Sequence, residues 1–182
     1  DLRRHPGFES DFLSEPRDLV VYVPPGYDRE PDRRYPVLYL HDGQILFEGA
    51  TAFVPGQDWK VNDTAEACIA RGLVEPLIIV GVYNTGSHRI DEYTPTRDRK
   101  QGAGGEAGLY GRMLIEDLKP FIDRTYRTLP DPANTGLGGS SLGGLVTLYL
   151  GLLHPDVFGK LAQACMAPVV APSSKRAPRR LK

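Results

Sequence analysis

A serine flanked by glycines lies at a predicted turn between a strand and a helix. The segment Gly139–Gly143 reads Gly-Ser-Ser-Leu-Gly, which fits the pattern G-x-S-x-G. Glycines on both sides of Ser141 permit a strained turn that lifts a hydroxyl clear of a sheet. A helix beginning at Leu142 would direct its first N–H groups towards the same point and stabilise an oxyanion there. The spacing predicts a nucleophilic serine; the alternative is a glycine-rich turn with a structural serine.

The elements that would position this serine alternate along the chain. Strands are predicted where β-branched or apolar runs end at Gly, Pro or Asn. They are Leu19–Val23, Val37–Leu40, Leu77–Val82 and Thr135–Leu137, with a weaker candidate at Phe8–Leu13. Lys160–Met166 is a further candidate that could equally be the end of a helix. Helices are predicted from Asn62 or Asp63 to Ala70, over Glu106–Tyr126 with a kink at Pro120, and over Leu142–Leu153. This alternation predicts an α/β fold with a mainly parallel sheet flanked by helices.

Three segments add detail to this organisation. Leu142–Leu153 is apolar almost all round, which predicts that the helix is buried. Residues 84–108 have little apolar content and are predicted to form a long loop. Residues 168–182 are rich in proline and basic side chains, so we expect a solvated tail after one domain over residues 1–167. Trp59 is expected to pack in the core rather than line a pocket for aromatic groups.

Composition excludes several classes of protein. The 182 residues are 41% hydrophobic and 25% charged, and 22 basic residues against 23 acidic ones give a net charge of −1. A balance near zero argues against nucleic-acid binding, and no apolar run approaches the roughly 20 residues of a membrane span. Two cysteines are too few for a disulfide framework, and no leader pattern opens the chain. We therefore expect a cytoplasmic protein with no nucleic-acid or membrane partner.

Five segments together carry a family resemblance. They are Val21–Tyr27, Tyr35–Gln44, Asp91–Pro95, Leu118–Asp123 and Gly138–Gly144, within residues 8 to 166. In these segments the chain resembles the esterases of the α/β-hydrolase superfamily that are related to enterochelin esterase, feruloyl esterases and esterase D. The resemblance implies a three-layer α/β-hydrolase-like fold and a serine carboxylic-ester hydrolase that uses no cofactor and no metal.

The resemblance also implies roles for particular residues. Ser141 would be the nucleophile, and the backbone N–H of Leu142 would be one donor of the oxyanion hole. The second donor would be the N–H of Gly43 or Gln44. The residues alone agree, because Gly43 permits a tight turn directly after a predicted strand, at the edge where such sheets bind ligands.

The usual catalytic base is missing from this pattern. In α/β hydrolases an acid and then a histidine follow the serine, but the only later histidine is His154, about 20 Å along the predicted helix. His41 and His88 are the other candidate substitute bases, and His41 better fits a structural ring that supports its loop. We therefore expect an incomplete or improvised base, and a C-terminus that lacks the last strands of the fold.

Two functions from different classes follow from these residues. The first is an esterase that acts on small or aryl esters through an acyl-enzyme on Ser141, with an improvised base or a group donated by a second subunit. The alternative is a non-catalytic hydrolase-like remnant that binds a ligand or partner. An acyltransferase would use the same serine and is not separable by sequence. The early end of the sheet would leave Lys160–Met166 as an edge strand, which predicts self-association.

Overall fold

Eight strands and five α-helices make up the computed structural model, which describes residues 1–52, 54, 56–100 and 102–164. The strands are β1 Leu2–Ser10, β2 Leu13–Tyr22, β3 Val37–His41, β4 Ile78–Val82, β5 Arg97–Asp98, β6 Ala103–Gly104, β7 Thr135–Ser140 and β8 Lys160–Ala164. The helices are α1 Val61–Ala70, α2 Arg89–Tyr93, α3 Ala107–Arg112, α4 Lys119–Thr125 and α5 Leu142–Leu153. A π-helical turn, Met113–Leu118, joins α3 to α4.

Six of the strands form one mixed sheet in the order β1-β2-β4-β3-β7-β8. β4, β3, β7 and β8 run parallel, and β1 and β2 add an antiparallel pair at one edge. β3 and β7 are neighbours, with Val37 opposite Thr135 and Leu40 opposite Gly138. The carboxyl ends of these two strands therefore meet at the same edge of the sheet, which is where such sheets bind ligands.

Helices cover both faces of the sheet and give three layers. The larger core cluster joins Val37, Val80 and Leu137 of the sheet to side chains of α3 and α5, including Tyr110 and Leu150. A smaller cluster on the other face packs the sheet against α1 and the turn after β3. β4 is buried along its whole length, as expected for a central strand with a continuous apolar sequence.

The predicted helix over Glu106–Tyr126 is present, but its irregularity precedes the proline. Pro120 has no N–H to donate to the carbonyl of residue 116, and its ring would clash with that carbonyl in a regular α-helix. The wider π-helical turn over Met113–Leu118 lies immediately before this position. The helical path therefore continues from α3 into α4 across the proline.

Several boundaries differ from the predictions. The segment predicted as one strand over Phe8–Leu13 comprises the end of β1, a turn at residues 11–12 and the first residue of β2. α1 begins at Val61, after Lys60 with φ 48°, so neither Asn62 nor Asp63 precedes the helix as a cap. β7 extends beyond the predicted Leu137 to Ser140.

The segment predicted as a loop over residues 84–108 contains short helices and strands among its described residues. A 3₁₀ turn over Gly86–His88 leads into α2, and the short hairpin β5–β6 follows. This arrangement depends on hydrogen bonds from the backbone N–H groups of Gly105 and Glu106 to the carbonyls of Thr94 and Asp91. These bonds join positions that no local sequence pattern pairs.

The last helix is more exposed than the sequence predicts, and the last strand lies at the edge of the sheet. β8 confirms the predicted strand as far as Ala164, and the rest of that prediction and the predicted tail lie outside the described residues. All five residues of β8 are exposed. The prediction that α5 is buried all round is wrong, because one of its faces carries four exposed leucines, Leu145, Leu148, Leu152 and Leu153.

Candidate active site

Ser141 occupies a strained turn between β7 and α5. Its backbone has φ 56° and ψ −124°, a region that non-glycine residues seldom adopt. The turn is tight on both sides, because a Cβ on Gly139 would lie 2.8 Å from the carbonyl carbon of Gly143. Ser141 itself is exposed. The sequence prediction of a sharp strand-to-helix turn with its serine presented to solvent agrees with this geometry.

A second turn begins where the neighbouring strand β3 ends. Asp42 has left-handed backbone angles, φ 59° and ψ 45°, and opens a 3₁₀ turn over Gly43–Ile45. In such a turn the first N–H groups have no acceptor within the turn. A Cβ on Gly43 would lie 2.6 Å from the carbonyl carbon of Gly81, so only glycine allows the turn to lie this close to β4.

The two turns are in contact. A Cβ on Gly143 would lie 3.3 Å from both the Asp42 Oδ2 atom and the His41 Cβ atom. The first N–H groups of α5, beginning at Leu142, have no partner within the helix and point out of its N-terminus. The arrangement brings Ser141, the start of α5 and the turn that contains Gly43 and Gln44 to one edge of the sheet.

The left-handed Asp42 is held by four hydrogen bonds. Its carboxylate accepts bonds from Asn84 Nδ2 at 2.7 Å and from Arg89 Nε and Nη2 at 2.7 and 2.8 Å. Its backbone N–H donates to the hydroxyl of Tyr93 at 3.3 Å. A backbone in a sparsely populated conformation persists when surrounding contacts determine it in this way. The aspartate and its partners therefore fix the path of the turn.

His41 is buried behind this turn. Its Nδ1 atom lies 2.9 Å from the hydroxyl of Tyr110, and its ring packs on those of Tyr93 and Tyr110 at centroid distances of 5.3 and 5.5 Å. Burial lowers the pKa of His41 to about 4, opposed by the charge of Asp42 and assisted by that of Arg89. A general base works best with a pKa near the operating pH, so His41 is a poor candidate for that role.

The other candidate bases lie in different places. His88 ends the 3₁₀ turn after β4, with its side chain 45% exposed and its Nδ1 atom 3.9 Å from Asp91 Oδ2. His154 follows the last residue of α5, at the end of the helix opposite Ser141, about 20 Å along the axis. The structure therefore does not bring His154 to the serine. Among the described residues, no side chain is hydrogen-bonded to the Ser141 hydroxyl.

Two cavities of about 330 Å³ each adjoin the turns. One is lined mostly by apolar groups, including Leu40, Gly139 and Trp59. The expectation that Trp59 packs in the core is wrong, because it is 37% exposed and lines this cavity. The other cavity is lined by polar side chains beside the second turn, including Gln44 and Arg89.

Sequence reasoning missed the ion pairs that support the site. Arg17 of β2 makes a two-pronged ion pair with Glu92 of α2, at 3.0 and 2.9 Å, and both side chains are almost fully buried. The family segment Asp91–Pro95 drew attention to α2 but not to this partner, since the pair joins positions 75 residues apart. The Asp42–Arg89 pair was missed for the same reason.

The described residues contain no group of His, Cys, Asp or Glu side chains arranged to hold a metal ion. In that same part of the chain, every helix is too short or too polar to cross a membrane.

The sheet order, the helices on both faces and the sharp serine turn define an α/β-hydrolase-like fold. A family model described as "Putative esterase" matches residues 10–178 of this chain. The chain therefore belongs to that esterase family, and the resemblance noted in the sequence is confirmed.

Individual relatives agree with this assignment. The ferri-bacillibactin esterase BesA of Bacillus subtilis is 31% identical over 173 residues, which cover 84% of this chain and 56% of BesA. An endo-1,4-beta-xylanase/feruloyl esterase of Xylanibacter ruminicola is 32% identical over 158 residues, 84% of this chain and 20% of the relative.

A solved structure supports the fold. The IroE-like serine hydrolase of Shewanella oneidensis superimposes with a TM-score of 0.72 at 25% identity, over 88% of this chain and 49% of that structure. The chain thus spans about half the length of BesA and of this hydrolase.

Proposed function

We propose that this chain hydrolyses carboxylic esters through an acyl-enzyme on Ser141. The observation that carries the proposal is the backbone of Ser141, which is strained at φ 56° and presents an exposed hydroxyl beside two sets of N–H donors. Strain of this kind is costly and is concentrated at functional sites. Membership of the esterase family supports the same reaction.

The geometry supports a two-step reaction. The Ser141 oxygen attacks the ester carbonyl, and the N–H of Leu142 with that of Gly43 or Gln44 stabilises the oxyanion of the tetrahedral intermediate. Collapse of the intermediate breaks the bond to the alcohol, which leaves with the proton that the serine gave to the base. Water then attacks the acyl-enzyme by the reverse sequence of proton transfers and releases the acid.

The base is improvised in this proposal. Among the described residues, His88 is the histidine on a loop at the same edge of the sheet as Ser141, and its side chain is accessible. A group donated by a second subunit is the other source that we consider. Removing one member of a catalytic triad leaves roughly 10³–10⁴-fold catalysis over water in serine hydrolases, so weak activity is expected even without a well-placed base.

Small or aryl esters are the proposed substrates. The apolar cavity with Trp59 at its wall has room for an aryl group, and the polar cavity beside Arg89 can take the hydrated part of an ester. Two relatives are named as a feruloyl esterase and a ferri-bacillibactin esterase. These names are the reason that we include aryl esters among the proposed substrates. The proposal needs no cofactor.

Fluorophosphonate labelling tests the proposal without assuming a substrate. We expect the intact mass of the protein to rise by one adduct, with the modified peptide mapping to Ser141. Ser141→Ala removes the adduct, whereas Ser140→Ala keeps it, because the neighbouring Ser140 is buried and lacks a hydrogen-bond partner. Ester hydrolysis that survives Ser141→Ala would place the chemistry elsewhere.

A binding remnant without catalysis is the second candidate. The observation that favours it is the lack of any hydrogen-bonded base at Ser141 among the described residues. A folded wild-type sample that takes no fluorophosphonate label would favour this function over hydrolysis. The same sample would then be screened for binding of aryl esters by the shift in its unfolding temperature.

Self-association through β8 belongs to the same proposal, with a second copy of the chain as the partner. β8 pairs with β7 on one side, and all five of its residues are exposed. An antiparallel pairing of two β8 strands centred on Ala162 would place each Lys160 opposite Ala164 of the second copy. The two lysines are thus kept apart, and exposed backbone groups gain partners.

Light scattering across a concentration series tests this pairing. We expect the average mass to rise with concentration and Leu161→Lys to suppress the rise by adding like charges at the edge. Leu73→Lys is the control, since Leu73 is also exposed but lies after α1 rather than on β8. A mass that stays monomeric at high concentration would contradict self-association.

A further inference from the structure

The His41 ring lies between the two turns of the proposed site. His41 is the last residue of β3, so its backbone leads directly into Asp42 and the turn with the oxyanion donors. A Cβ on Gly139 would lie 2.8 Å from the His41 Cδ2 atom, so the imidazole packs directly against the backbone of the serine turn. The position of this ring therefore sets how far apart the two turns lie.

Two tyrosine hydroxyls lie behind the ring. The Asp42 N–H is necessarily a donor, so the Tyr93 oxygen accepts its proton at 3.3 Å. The Tyr93 ring packs on that of Tyr110 at a centroid distance of 5.1 Å. Tyr110 in turn lies 2.9 Å from His41 Nδ1.

The pairing of Tyr110 with His41 favours one tautomer of His41. If the Tyr110 hydroxyl donates to Nδ1, its proton is paired and only the Nε2 atom of His41 lacks a partner. In the other tautomer, both the Tyr110 proton and Nε2 would lack partners among the described residues. A neutral imidazole that accepts at Nδ1 carries its proton on Nε2. His41 Nε2 is buried and has no partner among the described residues, on the ring edge that includes Cδ2 and faces the serine turn.

We propose that Tyr110 and Tyr93 are positioning residues that fix the distance between the oxyanion turn and Ser141. Tyr110 holds His41 as the Nε2–H tautomer, and Tyr93 holds the backbone N–H of Asp42. The proposal rests on the esterase function proposed above. Neither tyrosine touches the reacting atoms, because Tyr110 acts through His41 and Tyr93 acts through Asp42. The buried ion pair of Arg17 with Glu92 fixes α2, which carries Tyr93, and the Arg17 guanidinium lies 5.6 Å from the centre of the Tyr110 ring.

Nitrogen NMR of the histidine side chains tests the tautomer without any measurement of activity. We expect the ¹⁵N shifts of His41 in the wild-type protein to report a proton on Nε2. In Tyr110→Phe the Nδ1 atom loses its donor, and we expect the shifts to move towards a mixture of tautomers. A proton on Nδ1 in the wild-type protein, or shifts unchanged by Tyr110→Phe, would overturn the proposal.

Kinetics test the positioning role against a matched control. We expect Tyr110→Phe and Tyr93→Phe each to lower kcat for an aryl ester about tenfold, with KM changed by less than about twofold. Tyr39→Phe is the control, because Tyr39 is also buried in β3 but its hydroxyl has no partner, and we expect its kcat to equal that of the wild type. Equal kcat values for Tyr110→Phe and Tyr39→Phe would overturn the proposal.

The two proposals fail in different ways. A wild-type protein that takes no label at Ser141 refutes the esterase function, and the NMR result still decides the tautomer of His41. If the wild-type protein is labelled and active but Tyr110→Phe keeps the wild-type kcat, the esterase function stands and the positioning role is refuted. If Tyr110→Phe does not fold, Tyr93→Phe still tests the positioning of the oxyanion turn, through the lost hydrogen bond to the Asp42 N–H.

Discussion

The turn after β3 and the turn after β7 meet at one edge of the sheet but are supported differently. Side chains hold the first: the carboxylate of Asp42 accepts three hydrogen bonds, and its backbone N–H binds the Tyr93 hydroxyl. Close backbone packing, made possible by Gly139 and Gly143, holds the second. No side chain among the described residues supports the hydroxyl of Ser141 itself.

This difference distinguishes two parts of the proposed catalytic site, the groups that would stabilise the oxyanion and the group that would act as the base. The groups that would stabilise charge are preorganised, and preorganised donors are the largest contribution in many enzymes because they need no rearrangement during the reaction. The group that would take the proton from Ser141 is not placed beside it by the described residues. In the proposed mechanism, the two turns that the structure describes would bind the oxyanion independently of the base.

The largest effect is expected from breaking the buried ion pair behind the first turn. Glu92→Gln leaves Arg17 buried without a counter-charge, and we expect the free energy of unfolding to fall by about 3–5 kcal/mol. Urea unfolding measures the change. The control is Glu116→Gln, which breaks an exposed pair with Arg112 and should cost less than about 1 kcal/mol. Equal losses in the two variants would show that the buried pair has no special role.

The next effect is a dependence of stability on pH. Burial lowers the pKa of His41 from 6.5 to about 4, so between these values the unfolded chain binds a proton that the folded chain does not. The contribution of His41 to the free energy of unfolding is therefore complete above pH 6.5. It falls by about 3 kcal/mol as the pH drops towards 4. Unfolding at several pH values should show this slope in the wild type.

His41→Asn should remove most of that slope. The pKa of His5 is also lowered by burial and by Arg3, so His5→Gln should remove a smaller part in the same direction. If the slope persisted in His41→Asn, the titration would belong to other groups.

A smaller effect is expected from filling the space at Gly43. In Gly43→Ala the added Cβ would meet the Gly81 backbone, and overpacking of this kind costs about 1–3 kcal/mol. We also expect slower labelling of Ser141, because the turn with the oxyanion donors must move. Gly108→Ala is the control, since nothing lies within 4 Å of its Cβ position. Labelling at the wild-type rate in Gly43→Ala would show that this turn takes no part in the reaction.

The smallest effect is expected on the exposed face of α5. Leu152 is 71% exposed, so Leu152→Lys should change the free energy of unfolding by no more than about 0.5 kcal/mol. Thermal unfolding at low protein concentration gives this value. A loss of several kcal/mol would show that this face is covered in solution.

The parts of the molecule that were predicted correctly depend on local sequence. Apolar runs that end at Gly or Asn predicted β3 and β4, and the glycines around Ser141 predicted the serine turn. Each of these signals is contained within about ten residues. The limits of α5 were also predicted, because Leu142 follows the turn and His154 precedes a proline.

The parts that were missed depend on pairs distant in sequence. The placement of α2 and the support of Asp42 arise from contacts that span tens of residues, such as that of Arg89 with Asp42. The left-handed backbone of Asp42 had a local signal, since aspartate tolerates this conformation and precedes a glycine. The exposure of α5 could not be read from its composition, because an apolar helix is buried only where another layer packs on it.

The π-helical turn over Met113–Leu118 has a consequence for register. A π turn adds one residue relative to an α-helix, so α3 is rotated by about 100° about the axis compared with an uninterrupted helix leading into α4. That rotation is part of what points Tyr110 at His41 while Ile122 stays in the core. A single deletion between Met113 and Leu118 would remove the extra residue of the π turn and rotate the tyrosine away from His41, so this stretch sets the angle between α3 and α4.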